Sequence, residues 1–590
     1  MSPQNTPVRP KPGSPIPLPP NFPVIWENPQ DAKRMWSIDR IHSGEVVPIL
    51  SVSFSRAVVA TGYGAASEEY GIHLYMEHRH INAYLYRIIA PSDLPPEPIQ
   101  RLMGGLQRLA PGLMGRVLSK AMAKGNAETL ARVQQAADQL QESWEKRWLP
   151  AIQQAVAFWE GMQLEGADRT ALLAYLNETL SRMGRIWTIH FEIGLPAGTA
   201  VVRFDDFYQK LFPGSAPLDA QRLLQGIDNS FLAGDRALWA LSRVAAAQPE
   251  IEAVVLGDNL AEIPRALAAT PAGRAFWMQI EEFLAQHGRR GQESSGFREE
   301  SWVENPTTAL LLLRAYLRHP QRSPVARQEK LHAERESALA AARARLADRD
   351  ETTRSRFEEL LSAAQMGMYL HEEHNYWIDQ RSMYEARRLI LACGRVLAAG
   401  GAIGAAGDIW HITLEELKAA LVGDIPAGFQ AQIDHRKQTM EHFRGIEPPR
   451  AIGTTPLLEP SKYNPRLALM AKTQGIDRRA ETHAHNELLG NAGSAGKVRG
   501  KARVIYHLAD AYQLQQGEIL VARTTMPPWT PLFSVAAGLV TETGGILSHA
   551  AVVAREYGIP AVVGAADATM RISTGQSIEV DGSAGTVRLL

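Results

Sequence analysis

The sequence predicts a multi-domain protein: a large, mainly α-helical body followed by a small C-terminal α/β domain. Three observations carry this reading. The chain has 590 residues, more than a single domain usually holds. Long segments repeat apolar residues at three- and four-residue spacing, the period of an amphipathic helix. From Ala492 the texture changes to short β-like runs bounded by Gly, Asp or Pro.

The elements follow in order. Residues 1–20, MSPQNTPVRPKPGSPIPLPP, are Pro-rich and lack an apolar h-region. They read as a disordered or extended tail, not a signal peptide. Residues 21–481 form the helical body. ETLARVQQAADQLQESWEKRWLPAIQQAVAFWEGM, from Glu128, and KLHAERESALAAARARLADRDETTRSRFEELLSAAQ, from Lys330, are its clearest amphipathic helices. A coiled coil is compatible with the second, although its heptads are not sustained. The small residues of THAHNELLGNAGSAGKVRG read as a flexible linker, placed at 482–495. Within 496–590, GKARVIYHL, EILVART, GLVTET, IPAVVGA, SIEVDG and GTVRLL read as strands, with helical patterns between several of them. That makes one compact α/β domain, which the linker leaves free to move.

Composition narrows the function. A formal net charge of -1 and 45% hydrophobic residues leave no basic excess for nucleic acid. The single cysteine, Cys393, excludes an internal disulfide framework and Cys-rich metal sites, and fits a cytoplasmic setting. No apolar run approaches the roughly 18 residues that span a membrane. The HxH pairs His78/His80 and His483/His485 have no third ligand at a telling spacing. They read as structural or surface groups, and no metal is expected on this chain.

TETGGILSHAAVVAREYGIP, from Thr541 to Pro560, carries the clearest chemistry. GLVTE is a buried strand, and HAAVVAREYG a helix ending at the C-cap Gly558. Thr543, Gly544, Gly545, Ile546 and Leu547 make the turn between them. Ser548 suits the N-cap, which puts His549 in the first helical turn. The first amides of a helix lack intrahelical partners, and the dipole there favours negative charge. An imidazole at that place can carry a phosphoryl group that faces those amides. Gly544 and Gly545 let the backbone approach a ligand closely. On local pattern alone, a histidine packed in the joint remains the commoner outcome.

The longer string changes that balance. TETGGILSHAAVVAREYGIPAVVG, Thr541 to Gly564, closely resembles the phosphohistidine segment of the phosphoenolpyruvate-utilising, or dikinase, superfamily. GKVRGKARVI, ILVARTTMPPWTPLF and IEVDGSAGTVRLL are similar to the rest of that superfamily's swivelling domain. The resemblance implies that His549 is phosphorylated during turnover. The Ser548-His549 pair is closer to the rifampicin phosphotransferase form than to the Cys-His form of pyruvate phosphate dikinase. In the body, FPVIWENPQDAKRMWSIDRIHSGEVVPIL (from Phe22), FLAQHGRRGQESSGFREESWVENP (from Phe283) and GDIWHITLEEL (from Gly407) resemble landmarks of the rifampicin phosphotransferase group. The resemblance makes the body the acceptor-binding part.

Two superfamily parts are not found: an ATP-grasp domain ahead of the body and a phosphoenolpyruvate-binding barrel after His549. The expected partner is therefore a separate ATP-grasp subunit, as in phenylphosphate synthase, holding ATP with Mg2+ or Mn2+. The acceptor site is sought in HEEHNYWIDQ, His371 to Gln380. On an α-helix His371, Asn375 and Ile378 or Asp379 share a face, with His374 beside them. A solvated charged face fits that spacing equally well. The resembling stretch of rifampicin phosphotransferases reads RxxxK, so His371 and Asn375 stand where its cations do, which puts rifampicin itself in doubt. His371 or His374 is a candidate general base for an acceptor hydroxyl. Arg289 and Arg290, in HGRRG, are candidates to neutralise phosphate, with solvated surface arginines equally compatible, and His287 is a weaker candidate.

The expected function is an ATP-dependent phosphotransferase component that passes phosphate from His549 to a hydroxyl of a small organic acceptor, an aromatic one among the options. The alternative is a phosphocarrier or regulatory protein that passes it to another protein. A third option is a binding protein without turnover.

Overall fold

The computed structural model describes residues 11–39, 46–92, 99, 127–289 except 217 and 258, 298–457, and 486–590 except 507–509, 511–512, 526–528 and 547. The chain divides into two units, each drawn from separate stretches: Met1–Arg132, Gln154–Glu192 and Ala386–Leu469 in one, Val133–Gln153, Ile193–Glu385 and Met470–Leu590 in the other.

The body is mainly helical, and its first unit adds a small sheet. It contains a four-stranded antiparallel sheet in the order β2-β3-β1-β4, built from β1 (Met35–Ile38), β2 (Leu74–Ile81), β3 (Tyr84–Pro91) and β4 (Ala451–Gly453). The first residues of β2, LYMEHR, alternate buried and half-buried positions, the period-2 pattern of a strand. Asn82 and Ala83 both take positive φ and close the β2–β3 hairpin as a two-residue turn. Phe22, Trp36, Tyr86 and Ile452 are fully buried in this unit's core. Where it is described, the Pro-rich tail lies against β4: Ile16 N–H donates to the Gly453 carbonyl at 2.8 Å.

Two sequence landmarks in this unit are accounted for by packing. In GDIWHITLEEL, Thr413 and Glu416 form a capping box on the helix Leu414–Val422. Asp408 pairs with Lys437, and Glu416 with Arg436. Ser55 Oγ lies 3.2 Å from His78 Nδ1, and His80 Nε2 lies 2.8 Å from the Val47 carbonyl oxygen. Burial pushes the His80 imidazole down to about 4. His483 and His485 lie outside the described residues.

The second unit joins helices to the C-terminal domain. The helices that position the site are α1 (Arg169–Leu211, whose residues from Ile193 belong here), α2 (Ser230–Ala246), α3 (Pro271–His287), α4 (Thr307–Arg318), α5 (Pro324–Arg345), α6 (Glu351–His374), α7 (Arg381–Ala399, to Glu385 in this unit) and α8 (His549–Tyr557). The segment from Lys330 is two helices, α5 and α6, not one coiled coil. Asp350 ends the connection by accepting a hydrogen bond from Thr353 N–H as N-cap of α6. The two helices meet through Leu339, Ala342, Phe357 and Leu361, with Arg343 forked onto Glu358. A second core joins Leu238 of α2, Phe276 and Ile280 of α3, and Leu313 and Tyr316 of α4.

The C-terminal domain is an eight-stranded mixed sheet in the order β5-β12-β11-β7-β8-β9-β10-β6. Its strands are β5 (Glu487–Leu489), β6 (Asn491–Ser494), β7 (Lys497–Val504), β8 (Ile519–Ala522), β9 (Gly538–Thr541), β10 (Ala561–Val563), β11 (Ser577–Asp581) and β12 (Thr586–Leu589). β7 to β10 run parallel, and β8, β9 and β10 are buried at every residue. Parallel strands covered on both faces read as continuous apolar runs, as ILVA and AVV do. Leu520, Leu539 and Val563 face α8, while Ile519, Val521, Val540 and Val562 face Ile578 and Val580 on the other side.

The linker expectation at 482–495 is corrected. Residues 482–485 lie outside the described residues, but 487–494 form β5 and β6, which pair with β12 and β10 at the two edges of the sheet. The small residues that suggested flexibility serve close packing: a Cβ on Gly490 would stand 2.7 Å from Val562 Cγ1 and from the Val563 carbonyl oxygen. Among the described residues no helix is long and apolar enough to cross a membrane.

Candidate functional site

The site grows from the turn between β9 and α8. Thr541 Oγ donates to the Thr543 carbonyl at 2.8 Å, and Thr543 N–H donates to the Arg523 carbonyl at 3.1 Å. Gly544 takes φ +117°, and a Cβ there would stand 2.7 Å from Ser548 Oγ, so this position demands glycine. The Gly544 carbonyl accepts a hydrogen bond from Asn491 Nδ2 at 3.1 Å. Ser548 caps α8: its hydroxyl donates to the Gly545 carbonyl at 2.8 Å and accepts from Ala551 N–H at 3.4 Å. Arg555, one buried helix face further on, donates to the Ile546 carbonyl at 2.7 Å and to the Gly493 carbonyl at 3.1 Å. Gly558 ends α8 in the left-handed conformation. Thr543, Gly544, Gly545 and Ser548 thus shape the turn that presents His549.

His549 is the first residue of α8 and is 9% exposed. Its Nδ1 lies 3.4 Å from Glu372 Oε2, longer than a well-formed hydrogen bond. Glu372 belongs to the last turn of α6 and is 4% exposed. Burial acts to raise its carboxyl, but the His549 ring and then His371 and His374 outweigh burial and hold it below the usual carboxylate range. Glu372 Oε1 is buried with no hydrogen-bond partner among the described residues.

Glu372 is a site residue that the sequence pattern does not single out: HEEH points to its two histidines, with the glutamates between them part of a charged face. Glu372, Glu373 and His374 are all buried, so the solvated-face option is excluded for them. Two adjacent carboxylates inside an otherwise long helical pattern were the available signal.

The remaining candidates cluster around the same helix end. His374 Nδ1 lies 2.5 Å from the Leu370 carbonyl oxygen and donates to it, which leaves Nε2 as the acceptor of the neutral ring. The His371 and His374 rings stand edge-on with centroids 6.0 Å apart. Glu373 accepts from Ser230 N–H at 2.5 Å and from Trp377 Nε1 at 2.9 Å, while burial pushes its carboxyl up. Asn375 begins a π-helical segment, Asn375–Gln380. Asn375 is half-buried, and Ile378 and Asp379 are buried. Asn375 Oδ1, Gln380 Oε1 and Nε2, and Ser382 Oγ are buried with no hydrogen-bond partner among the described residues. A polar tract of that kind has hydrogen-bonding capacity for a ligand.

Arg289 is half-buried just beyond α3, whose Gln286 carbonyl faces the Tyr376 hydroxyl at 3.5 Å. Arg290 lies outside the described residues. His287 ends α3 and stacks near Phe283, with ring centroids 5.3 Å apart.

Contacts beyond His549 hold α8 against the helices. Val552 enters the core of α1, α5 and α6 beside Phe204 and Met368. Tyr557 donates its hydroxyl to Asp235 Oδ2 at 3.0 Å, Tyr316 donates to Oδ1 of the same carboxylate, and Arg327 lies 3.3 Å from Oδ2. The Arg327 guanidinium also sits over the Tyr557 ring at 3.8 Å. Glu556 Oε1 accepts from Gly226 N–H at 3.0 Å.

Residues 514–585 match the family described as PEP-utilising enzyme, mobile domain, and residues 195–372 match the rifampicin phosphotransferase fourth domain. The second match ends at Glu372. The chain is 35% identical over 586 residues to chondramide synthase cmdD of Chondromyces crocatus, covering 98% of this chain and 14% of that protein. It is 30% identical over 407 residues to the uncharacterized phosphotransferase YvkC of Bacillus subtilis, covering 68% of this chain and 47% of that protein. It is 28% identical over 360 residues to a rifampicin phosphotransferase of Streptomyces sviceus, covering 60% of this chain and 39% of that protein. The chain thus spans less than half the length of each of these relatives. It carries the mobile domain of the phosphoenolpyruvate-utilising enzymes and, beside it, a helical region that resembles rifampicin phosphotransferase.

Proposed function

We propose that this chain carries a phosphoryl group on His549 and passes it to a hydroxyl acceptor held at the end of α6, as the carrier and acceptor part of a phosphotransferase. The observation that carries this reading is the meeting of His549 with Glu372, next to His371 and His374. A mobile-domain histidine is thereby brought to a buried polar tract with its own candidate base.

Phosphoryl transfer asks the protein for positioning and charge control more than for covalent work. His549 at the start of α8 lies where the helix dipole favours the phosphate charge. His374, with Nε2 as acceptor, or His371 takes the acceptor's proton. A phenolic acceptor, with a pKa of about 10, gives up that proton more readily than an alcohol. Phosphate is loaded by an ATP-grasp component, a separate subunit or a further part of the same polypeptide, which holds ATP with Mg2+ or Mn2+.

The test is phosphate labelling from ATP and magnesium with that component present. Acid-labile, base-stable label is expected on His549 and none on a His549→Asn chain. Label that leaves onto a small molecule supports the proposal. Label that leaves only onto protein points to the phosphocarrier alternative. Absence of label with every loading component tried overturns the reading.

A further inference from the structure

We infer that Glu372 is a positioning residue that makes docked His549 a phosphoryl donor, by holding the proton on Nδ1 so that Nε2 bears and releases the phosphate. This rests on the phosphate-carrying reading of His549 and adds to it the control of its reactivity.

The geometry is specific. Glu372 Oε2 faces Nδ1 at 3.4 Å, and both residues are more than nine-tenths buried. The other carboxylate oxygen has no hydrogen-bond partner among the described residues, so none of them competes for the carboxylate. A carboxylate beside one imidazole nitrogen keeps the proton there and sets the tautomer. Such contacts are often long in the absence of substrate and shorten in the reacting complex.

The chemistry gives the proton its purpose. In the transfer, an acceptor oxygen forms its bond to phosphorus as the P–Nε2 bond breaks, and that electron pair returns to Nε2. With Nδ1 protonated, the leaving group is a neutral imidazole. Without that proton it is an imidazolate anion, a far poorer leaving group. The acceptor's hydroxyl proton passes to the base, and the Nδ1 proton stays in place throughout.

Glu372 stands on α6, whereas His549 stands on α8 of the C-terminal domain. The donor state is therefore assembled only where the two are in contact, so His549 is a weaker donor wherever it is loaded. That guards the phosphate against loss to water before delivery. The groups that face Glu372 are His549 and Glu556 on α8, and His371, Glu373 and His374 on α6.

The test uses the full chain with 15N-labelled histidine, and potassium phosphoramidate as a small-molecule phosphate donor. His549→Asn assigns the His549 signals. In the unphosphorylated chain the His549 proton is expected on Nδ1, and Glu372→Gln should redistribute it. After phosphorylation, discharge to water should slow on the order of tenfold or more in Glu372→Gln. The pH at which discharge falls should also drop, because Nδ1 now loses its proton more easily. Glu372→Asp, which keeps the charge, should restore the wild-type pH profile in part. A proton on Nε2 in the wild type, or an unchanged discharge rate and pH profile in Glu372→Gln, overturns the assignment. If His549 takes no phosphate, the carrier reading fails, and the nitrogen spectra of the free chain still decide the role of Glu372.

Discussion

Replacing Glu556 by glutamine should remove a pH-dependent loss of stability from α8. Glu556 is 9% exposed on α8. Burial raises its carboxyl from an ordinary 4.5 to about 7. The Gly226 N–H, Arg555 and Arg327 pull the other way, and Glu372 adds to the rise. A carboxyl whose folded pKa is raised holds its proton between pH 4.5 and 7 in the native state, when the unfolded chain has released it. Its stability contribution is therefore full below about pH 4.5 and is lost as pH rises through about 7. At 1.36 kcal/mol for each pH unit, the loss amounts to about 3 kcal/mol above neutrality. Glutamine does not titrate. Its amide oxygen can accept from Gly226, while its NH2 replaces Oε2, which is buried with no hydrogen-bond partner among the described residues. That buried donor costs about 1–3 kcal/mol at every pH. The informative quantity is therefore the stability of Glu556→Gln minus that of the wild type, measured by urea unfolding from pH 4 to 8. It should be flat and negative at the acid end and climb by about 3 kcal/mol toward pH 8. A difference that stays constant across the range would falsify the argument.

Two further perturbations probe how the histidine is presented. Tyr557→Phe deletes the hydroxyl that donates to Asp235 at 3.0 Å. A hydrogen bond to a charged acceptor is worth about 1.5–3 kcal/mol, so amide exchange along α8 should speed accordingly. Unchanged exchange would show that Tyr316 and Arg327 hold Asp235 unaided and that α8 does not depend on it. Gly544→Ala forces a side chain onto φ +117° and into Ser548 Oγ. Backbone strain of about 1–3 kcal/mol should lower the thermal midpoint. An unshifted midpoint would mean that the turn relaxes freely.

Much of the C-terminal domain was legible because its signals are local. Ser548 as N-cap, Gly558 as C-cap and the apolar runs of β8 to β10 depend on neighbours a few residues away, and the structure keeps each of them. The helices from Glu128 and Lys330 were likewise readable from their period. The four-stranded sheet was missed because its alternating strands lie inside a chain dominated by helical periodicity, and β4 is separated from β1 by about 400 residues. The strands β5 and β6 were read as a linker because small residues signal flexibility locally, whereas here they let strand edges pack closely.

The candidate site divides the same way. Sequence alone determined where the histidine of the mobile domain lies and which turn presents it, since cap, glycine and strand are contiguous. Tertiary structure alone decided what that histidine meets. Glu372 and His549 are separated by 177 positions in the chain and by 3.4 Å in space. The burial that makes the carboxylate effective comes from α6 and α8 packing together. No local pattern records such a meeting, because the field at an imidazole depends on which distant charges are desolvated beside it.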